Sequence, residues 1–347
     1  GLAAYDEFDE AIVLTTIHRM GQIDDPKTPE DHEYNARAHT FWDVMLRLRD
    51  SKITAEDYFW LCRRKVSKLS LSERKFFADA PLLMDFRRST EDNPEENCDY
   101  YNRQQLRTFA KERKIPVIAF DAQHEGTAHD DGMNTDDEQF SGLSKRLELA
   151  IGAPVLLTHN LAVEHGLVNG SQGEVVDIVY CNGNNPNHDT RACRMPSAVI
   201  VNFAEYKGPP FFSEEAARTW VPLFPITRNS EQDEQISRTQ YPLTLAWALT
   251  PWKAQGMTLA KVRVAISQNA STPGVLFTAL TRIRHPDILL LMDSFPSYAQ
   301  IMRQRMHKSF PVRQHWERKA RAKFSRTVRR HMRDPDVYSP EKTWTEE

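Results

Sequence analysis

The chain lacks most of the compact signatures that announce an enzyme. It contains no G-x-x-x-x-G-K-[ST] run and no Gly-Lys pair, so the phosphate cradle of a P-loop nucleotidase is missing from these 347 residues. There is no G-x-S-x-G elbow, which removes the usual signal for a serine hydrolase of the α/β class. His124 and Glu125 in HEGTAHDD (124–131) lack HExxH spacing, so the segment reads as a solvated loop rather than a zinc site. Only four cysteines occur, at 62, 98, 181 and 193, with no CxxC pair. Cys181 and Cys193 flank His188, but at no zinc-ligand spacing, so scattered reduced thiols are expected and no metal is assigned. No stretch reaches the roughly 18 uninterrupted apolar residues of a spanning helix. The opening GLAAYDEFDE has no initiator Met, basic region or apolar core; it is expected to be an internal cut rather than a signal peptide, in a soluble intracellular protein without membrane partners.

Enough apolar residues are present, 40%, for one large domain or two to three smaller ones. The net charge of −3 advertises no polyanion partner, but charge is unevenly placed. Segment 122–138 is acidic and turn-rich, whereas RQHWERKARAKFSRTVRRHMR (313–333) is dense in Arg and Lys and predicts a cationic helix. Such a face either binds phosphates whatever the total charge or is merely solvated. The last residues, DPDVYSPEKTWTEE, read as a disordered end.

Periodicity predicts a strand at 11–16, a helix over 34–49, a second helix opened by a Thr54–Asp57 capping box, a strand at 81–86, a helix at 97–113 and a strand at 116–120. Alternating strands and helices imply an α/β layer with a largely parallel sheet. Near residue 150 the texture changes to short β-like runs broken by Gly, Asn and Pro, as in a small barrel or sandwich. From about 240 the α/β texture returns, with strands in YPLTLAWAL and KVRVAI, a helix in VLFTALTRI and a strand in DILLLM. The expected architecture is α/β, interrupted by a β-rich insertion, with no internal repeat.

Three segments carry candidate chemistry. TPWKAQGMTL (250–259) places Lys253, Gln255 and Gly256 on a turn after a strand, where α/β sheets put ligand contacts. Gly256 allows close backbone approach, and Thr250 and Thr258 offer hydroxyls. In TALTRIRHP (278–286), Arg282 lies close to an apolar helix; it reads equally as a phosphate ligand or as one half of an intradomain pair. Arg284, and Arg19 in TTIHRM, read alone as solvated arginines.

Together these pieces resemble the Pif-type superfamily 1 helicases, and most of all the long relatives that include those of helitron transposons. LELAIGAPVLLTHNLAVEHGLVNGSQGEVVDIVY (147–180) is similar to their VGA-x-VML, Asn-Leu and LVNGS-x-G segment, which contains Asn169. RTQYPLTLAWALTPWKAQGMTLAKV (238–262) resembles motif V, and GVLFTALTRIRHPDILLL (274–291) resembles motif VI. LTTIHRM resembles motif IV, FWDVMLRLRDSKITAEDYFWL the segment that follows it, and Tyr101-Asn102 the Tyr-Asn pair before the next helix. The resemblance spans roughly 10–295 and comes in the family's order.

The resemblance implies a C-terminal half of an ATP-dependent 5′-to-3′ DNA helicase acting in DNA repair and recombination, in the nucleus. Residues 1–150 and 240–296 would form a RecA-like second lobe, 151–239 an SH3-like β insertion, and 297–347 a basic tail outside the family. ATP and Mg2+ would be held mainly by a missing N-terminal RecA-like lobe, so the chain alone is expected to be inactive as an ATPase. Arg282 would be an arginine finger and Arg19 a second γ-phosphate contact. Gln255 and Gly256 would couple nucleotide state to the strand. Thr250, Trp252, Lys253, Thr258 and Asn169 would contact single-stranded DNA. Trp252 stands where the family usually has His; it either stacks on a base or packs internally. The motor reading is tied to Arg282, whose guanidinium is expected to reach across a crevice toward a triphosphate on another body. The alternative is a non-catalytic nucleic-acid-binding module, a degenerate transposon remnant; a weaker one is an SH3-like scaffold for a protein partner.

Overall fold

The computed structural model describes residues 7–12, 17, 20–87, 97–126, 136–180, 195–266 and 272–331. The chain divides into two compact units, residues 1–69 with 266–347, and residues 70–265. The texture changes at about 150 and 240 both fall inside the second unit.

The first unit begins with α1 (Pro29–Arg49). Thr28 caps it, accepting from the Asp31 N–H while Asp31 returns a bond to the Thr28 N–H. Phe41, Val44, Met45 and Leu48 recur at helical spacing and are buried. In α2 (Ala55–Cys62) the expected capping box is present, with Thr54 and Asp57 exchanging bonds. Asp57 also receives a two-pronged contact from Arg47, at 2.7 and 2.8 Å. Of the expected strand at 11–16, residues 13–16 lie outside the described residues, and 11–12 have no regular structure.

The second unit runs through α3 (Leu71–Phe76), β1 (Leu82–Met84) and α4 (Cys98–Arg113), then β2 (Ile118–Asp121) and β3 (Gln123–Glu125). It continues with β4 (Arg146–Leu149), β5 (Pro154–Leu157), β6 (Gln172–Val179) and β7 (Ala198–Asn202). Then come β8 (Trp220–Leu223), β9 (Ile226–Asn229), β10 (Ser237–Gln240), β11 (Leu243–Leu245), β12 (Ala248–Leu249) and β13 (Val262–Ala265). β1 pairs in parallel with both β12 and β13. These pairings are the parallel arrangement expected from the alternating texture. β2, expected to belong to it, is antiparallel to β4, and apolar runs alone do not distinguish the two arrangements.

A five-stranded antiparallel sheet has the order β11-β5-β6-β7-β8. Val155, Leu157, Val175, Val199, Val201 and Val221 alternate inward from its strands, and Leu106 of α4 joins their core. YPLTLAWAL is therefore two strands: β11 closes the antiparallel sheet, and β12, two residues later, enters the parallel one. A third sheet, β3-β10-β9, carries Arg238, whose side chain is fully buried. It donates to Asp137 Oδ1 (2.7 Å), Leu143 O (2.8 Å) and His124 Nε2 (2.9 Å), over the ring of Phe140. His124 is thus a half-buried strand residue rather than part of a solvated loop, because the β3–β10 register sets it opposite Arg238. Residues 127–135 of the acidic stretch lie outside the described residues.

The chain returns to the first unit with α5 (Val275–Leu280), β14 (Leu289–Leu291), α6 (Tyr298–Met302) and α7 (Ser309–His331). α5 ends before Arg282, one turn earlier than expected. Leu291 forms a parallel bridge with Lys65, and Arg64 donates to Leu289 O and Asp287 O. The His285 ring stacks on Tyr34 at 3.6 Å. The Gly21 N–H donates to Arg284 O at 2.8 Å, and a Cβ at position 21 would lie 2.9 Å from Arg284 Cβ, so only glycine permits this approach. Among the described residues no helix is long and apolar enough to cross a membrane, and no cluster of His, Cys, Asp or Glu would hold a metal ion.

Candidate nucleic-acid interface

The site grows from the end of β12. Asn102, buried in the middle of α4, donates from Nδ2 to Leu245 O (3.3 Å) and Ala248 O (3.0 Å) and accepts from the Ala248 N–H (2.8 Å). That clamp fixes where the chain leaves the sheet. Residues 251–256 then form a turn, closed by the Ala254 N–H on Thr250 O at 3.1 Å and the Lys253 N–H on Thr250 Oγ1 at 3.5 Å. Pro251, Ala254 and Leu259 point inward, leaving Trp252, Gln255, Gly256 and Thr258 exposed. Gly256 has φ +81°, a left-handed conformation that explains the glycine, and a Cβ there would meet nothing within 4 Å. The internal-packing reading of Trp252 is corrected: its side chain is 51% exposed.

Thr250 and Lys253 are drawn together, with Arg87, Asn102 and Thr158, around a recess of about 20 Å³. This is too small to swallow a ligand, so whatever binds sits at its mouth. Lys253 is half-buried. Burial, followed by repulsion from Arg87, lowers its pKa below the ordinary lysine value. Among the described residues its ammonium makes no ion pair or hydrogen bond. His159, adjacent to Thr158, bonds Thr158 Oγ1 through Nδ1 at 3.0 Å, while its buried Nε2 has no partner among the described residues. Burial, then Arg228 and Lys253, lower its pKa. Lys253, Arg87 and Arg228 thus share one neighbourhood with a neutral imidazole, and Asp99, which also lines the recess, lies 4.0 Å from Arg87, with Asp137 at 3.8 Å. Arg87 and His159 were not expected as site residues. Nor was the role of Asn102, which the sequence marked only as part of the Tyr101-Asn102 pair and as an amide at a helix position facing the core.

Asn169 lies on a different turn, between β5 and β6. Its N–H donates to Asn160 Oδ1 at 2.7 Å, and Gly170 beside it has φ +101°. Asn160 follows Thr158 by two residues, which links this turn to the recess through a short length of chain.

In the first unit, Arg282 does not reach outward. It is 8% exposed, with Nε donating to Thr278 O (2.7 Å) and Nη2 to Thr281 Oγ1 (3.1 Å). The expectation of a guanidinium reaching out is corrected: just past the end of α5, the carbonyl of the preceding turn and a neighbouring hydroxyl fold the fork back. Arg284 is exposed, and Arg19 lies outside the described residues. Cys98 is buried, its thiol pushed up to about 12 by burial, and is inert; Cys181 and Cys193 lie outside the described residues.

Residues 139–178 match the family model for the DNA helicase Pif1, 2B domain. The chain is 35% identical over 160 residues to the ATP-dependent DNA helicase PIF1 of Danio rerio, covering 46% of this chain and 21% of the relative. It is 35% identical over 167 residues to the ATP-dependent DNA helicase PIF6 of Trypanosoma brucei brucei, covering 48% and 18%. It thus spans about a fifth of the length of these curated relatives. The crystal structure of Pif1 helicase from Candida albicans aligns with a TM-score of 0.54 at 21% identity, over 79% of this chain and 58% of that one. Pif1 helicase from Bacteroides, solved in complex with ADP-AlF3 and ssDNA, aligns at 0.50 and 20% identity, over 86% and 57%. In sequence over nearly half its length, and in fold over most of it, the chain matches the Pif-type helicases.

Proposed function

We propose that the chain is the C-terminal half of an ATP-dependent 5′-to-3′ DNA helicase. In this reading the second unit supplies contacts to single-stranded DNA. ATP and Mg2+ sit mainly on an N-terminal P-loop lobe; Arg19, and Arg282 once released from its bonds to Thr278 O and Thr281 Oγ1, contact the γ-phosphate. Residues 1–150 and 240–296 make up a RecA-like lobe. Residues 151–239 are an SH3-like insertion, a reading supported by the five-stranded antiparallel sheet. The observation that carries the proposal is Lys253. A half-buried ammonium that makes no ion pair among the described residues, beside Arg87 and two threonine hydroxyls, is costly and is compensated by a phosphate at the mouth of the recess. Exposed Trp252 next to it adds a surface on which a base can stack, worth about 1–3 kcal/mol.

Fluorescence anisotropy with a labelled single strand tests this reading. Lys253→Ala is expected to weaken binding and to reduce the slope of log K against log salt by about 0.7, one single-strand phosphate, without lowering stability. Lys253→Arg should restore the slope. An unchanged slope in the alanine variant removes Lys253 from the interface. The chain alone should show no steady-state ATPase.

The inward fork of Arg282 and the Trp at position 252 favour a second reading, a nucleic-acid-binding module without catalysis. Single-strand binding that persists unchanged when a P-loop lobe is supplied, with no ATP turnover, selects it.

A further inference from the structure

We propose that the N-terminal half of α7 and the end of α1 form a binding cleft for the backbone of duplex DNA, separate from the single-strand contacts of the second unit and independent of the reading of Lys253. The cleft has a volume of about 270 Å³ and is lined by Lys52, Arg313, Arg318 and Arg321 together with Asp50 and Glu317. Four cations against two carboxylates leave an excess of two positive charges.

The cleft is held in place rather than being a free solvated helix. Arg313 donates to Arg49 O at 2.5 Å, one of the carbonyls at the C-terminal end of α1, and bonds Glu317 at 2.8 Å and Asp50 at 3.4 Å. Arg305 donates to Ser51 O at 2.7 Å. Further along, Phe324, Lys323 and Thr327 are buried, and Thr327 Oγ1 accepts from the Ala11 N–H. Arg313 engages both carboxylates; the side chains of Lys52, Arg318 and Arg321 are exposed at the rim. Positions 314, 318 and 321 share one helix face.

The geometry favours duplex over single strand. From 310 to 321 the helix runs about 16 Å at a rise of about 1.5 Å per residue, and a duplex presents one phosphate charge per roughly 1.7 Å of axis. Single-strand sites interleave cations with stacking aromatics. Here Phe310 is the aromatic residue of the lining, and it is half-buried, while Trp316 is already covered by Lys319 at 4.7 Å.

The test titrates the 347-residue chain into a labelled blunt duplex, and into one of its strands alone, across a salt series. Lys52→Ala/Arg318→Ala/Arg321→Ala is expected to lower the duplex salt slope by about two to three, at about 0.9 per phosphate, and to change the single-strand slope by less than one contact. Arg318→Lys/Arg321→Lys, which keeps the charge, should keep the duplex slope. An unchanged duplex slope in the triple variant overturns the proposal, as does a loss as large on the single strand as on the duplex. If circular dichroism shows the triple variant to be unfolded, Arg318→Ala alone decides: a duplex slope lower by about 0.9 supports the cleft, and no change overturns it.

Discussion

Asn102 and Ala248, 146 positions apart, exchange a pair of hydrogen bonds: the Ala248 N–H donates to Asn102 Oδ1 at 2.8 Å, and Asn102 Nδ2 donates to Ala248 O at 3.0 Å. One amide side chain thereby replaces a strand partner for the two-residue strand β12, and the turn carrying Thr250, Trp252 and Lys253 starts from that fixed point. Asn102→Ala would leave buried backbone groups short of partners, at a cost of about 1–3 kcal/mol. Urea unfolding should show that loss, and single-strand affinity should fall with it although Asn102 does not face solvent. Stability equal to that of the parent protein would show that the clamp is dispensable.

Arg238 and Asp137 pose a different energetic question. Arg238 is fully buried, and its guanidinium meets Asp137 at 2.7 Å. Removing one partner of such a pair strands a charge and typically costs about 3–5 kcal/mol, whereas replacing both with apolar groups is often nearly neutral. Arg238→Met and Asp137→Leu should each destabilise strongly, and the double variant less than their sum. Additive losses in a denaturation cycle would mean that the two side chains act separately.

The sequence already carried the longer helices and the capping box at Thr54, since apolar spacing and capping residues are local properties. It also carried the exposed motif V turn, because Gly256 and the flanking apolar strands mark such turns. What it did not carry was set by partners distant along the chain. YPLTLAWAL reads as one apolar run, but β11 and β12 go to different sheets because β5 and β1 claim different parts of it. His124 looked solvated until Arg238 came opposite it. The outward reach expected of Arg282 came from family position alone, and the competing acceptors, Thr278 O and the Thr281 hydroxyl, are visible only in three dimensions. The likeness to Pif-type helicases rests on sequence and fold matches that do not depend on that side chain.

His285 offers a pH test of the first unit. Its Nδ1 accepts from the Asp287 N–H at 3.2 Å, so Nε2, 3.0 Å from Tyr34 O, is the donor of a neutral ring. Burial, the largest influence, pushes its pKa below the ordinary 6.5, against the opposing pull of Tyr34 O and Asp287. The unfolded chain therefore takes up this proton at a higher pH than the folded one. The stabilisation is complete above the unfolded pKa and is lost as pH falls from there through the folded pKa. Thermal midpoints measured at about pH 7.5 and about pH 5.5 should drop on acidification, and His285→Phe, which keeps a ring against Tyr34, should drop less. An equal drop in both proteins would assign the pH dependence elsewhere.

Arg282 decides between motor and passive binder. Two of the fork's bonds go to neutral oxygens, Thr278 O and Thr281 Oγ1, whereas bonds to a phosphate are charge-assisted and roughly twice as strong. A triphosphate within reach would therefore compete with the Thr281 hydroxyl for the fork. In a protein that joins this chain to a P-loop lobe, Arg282→Ala should reduce ATP turnover by about 10³–10⁵-fold, the range of arginine fingers. Arg282→Lys, with charge but no planar fork, should recover only part of it. Thr281→Val, which removes the inward acceptor, should leave turnover intact or raise it. If Thr281→Val instead lowered turnover as far as Arg282→Ala does, the inward position would be the working one, and Arg282 would serve the fold of this segment rather than the nucleotide.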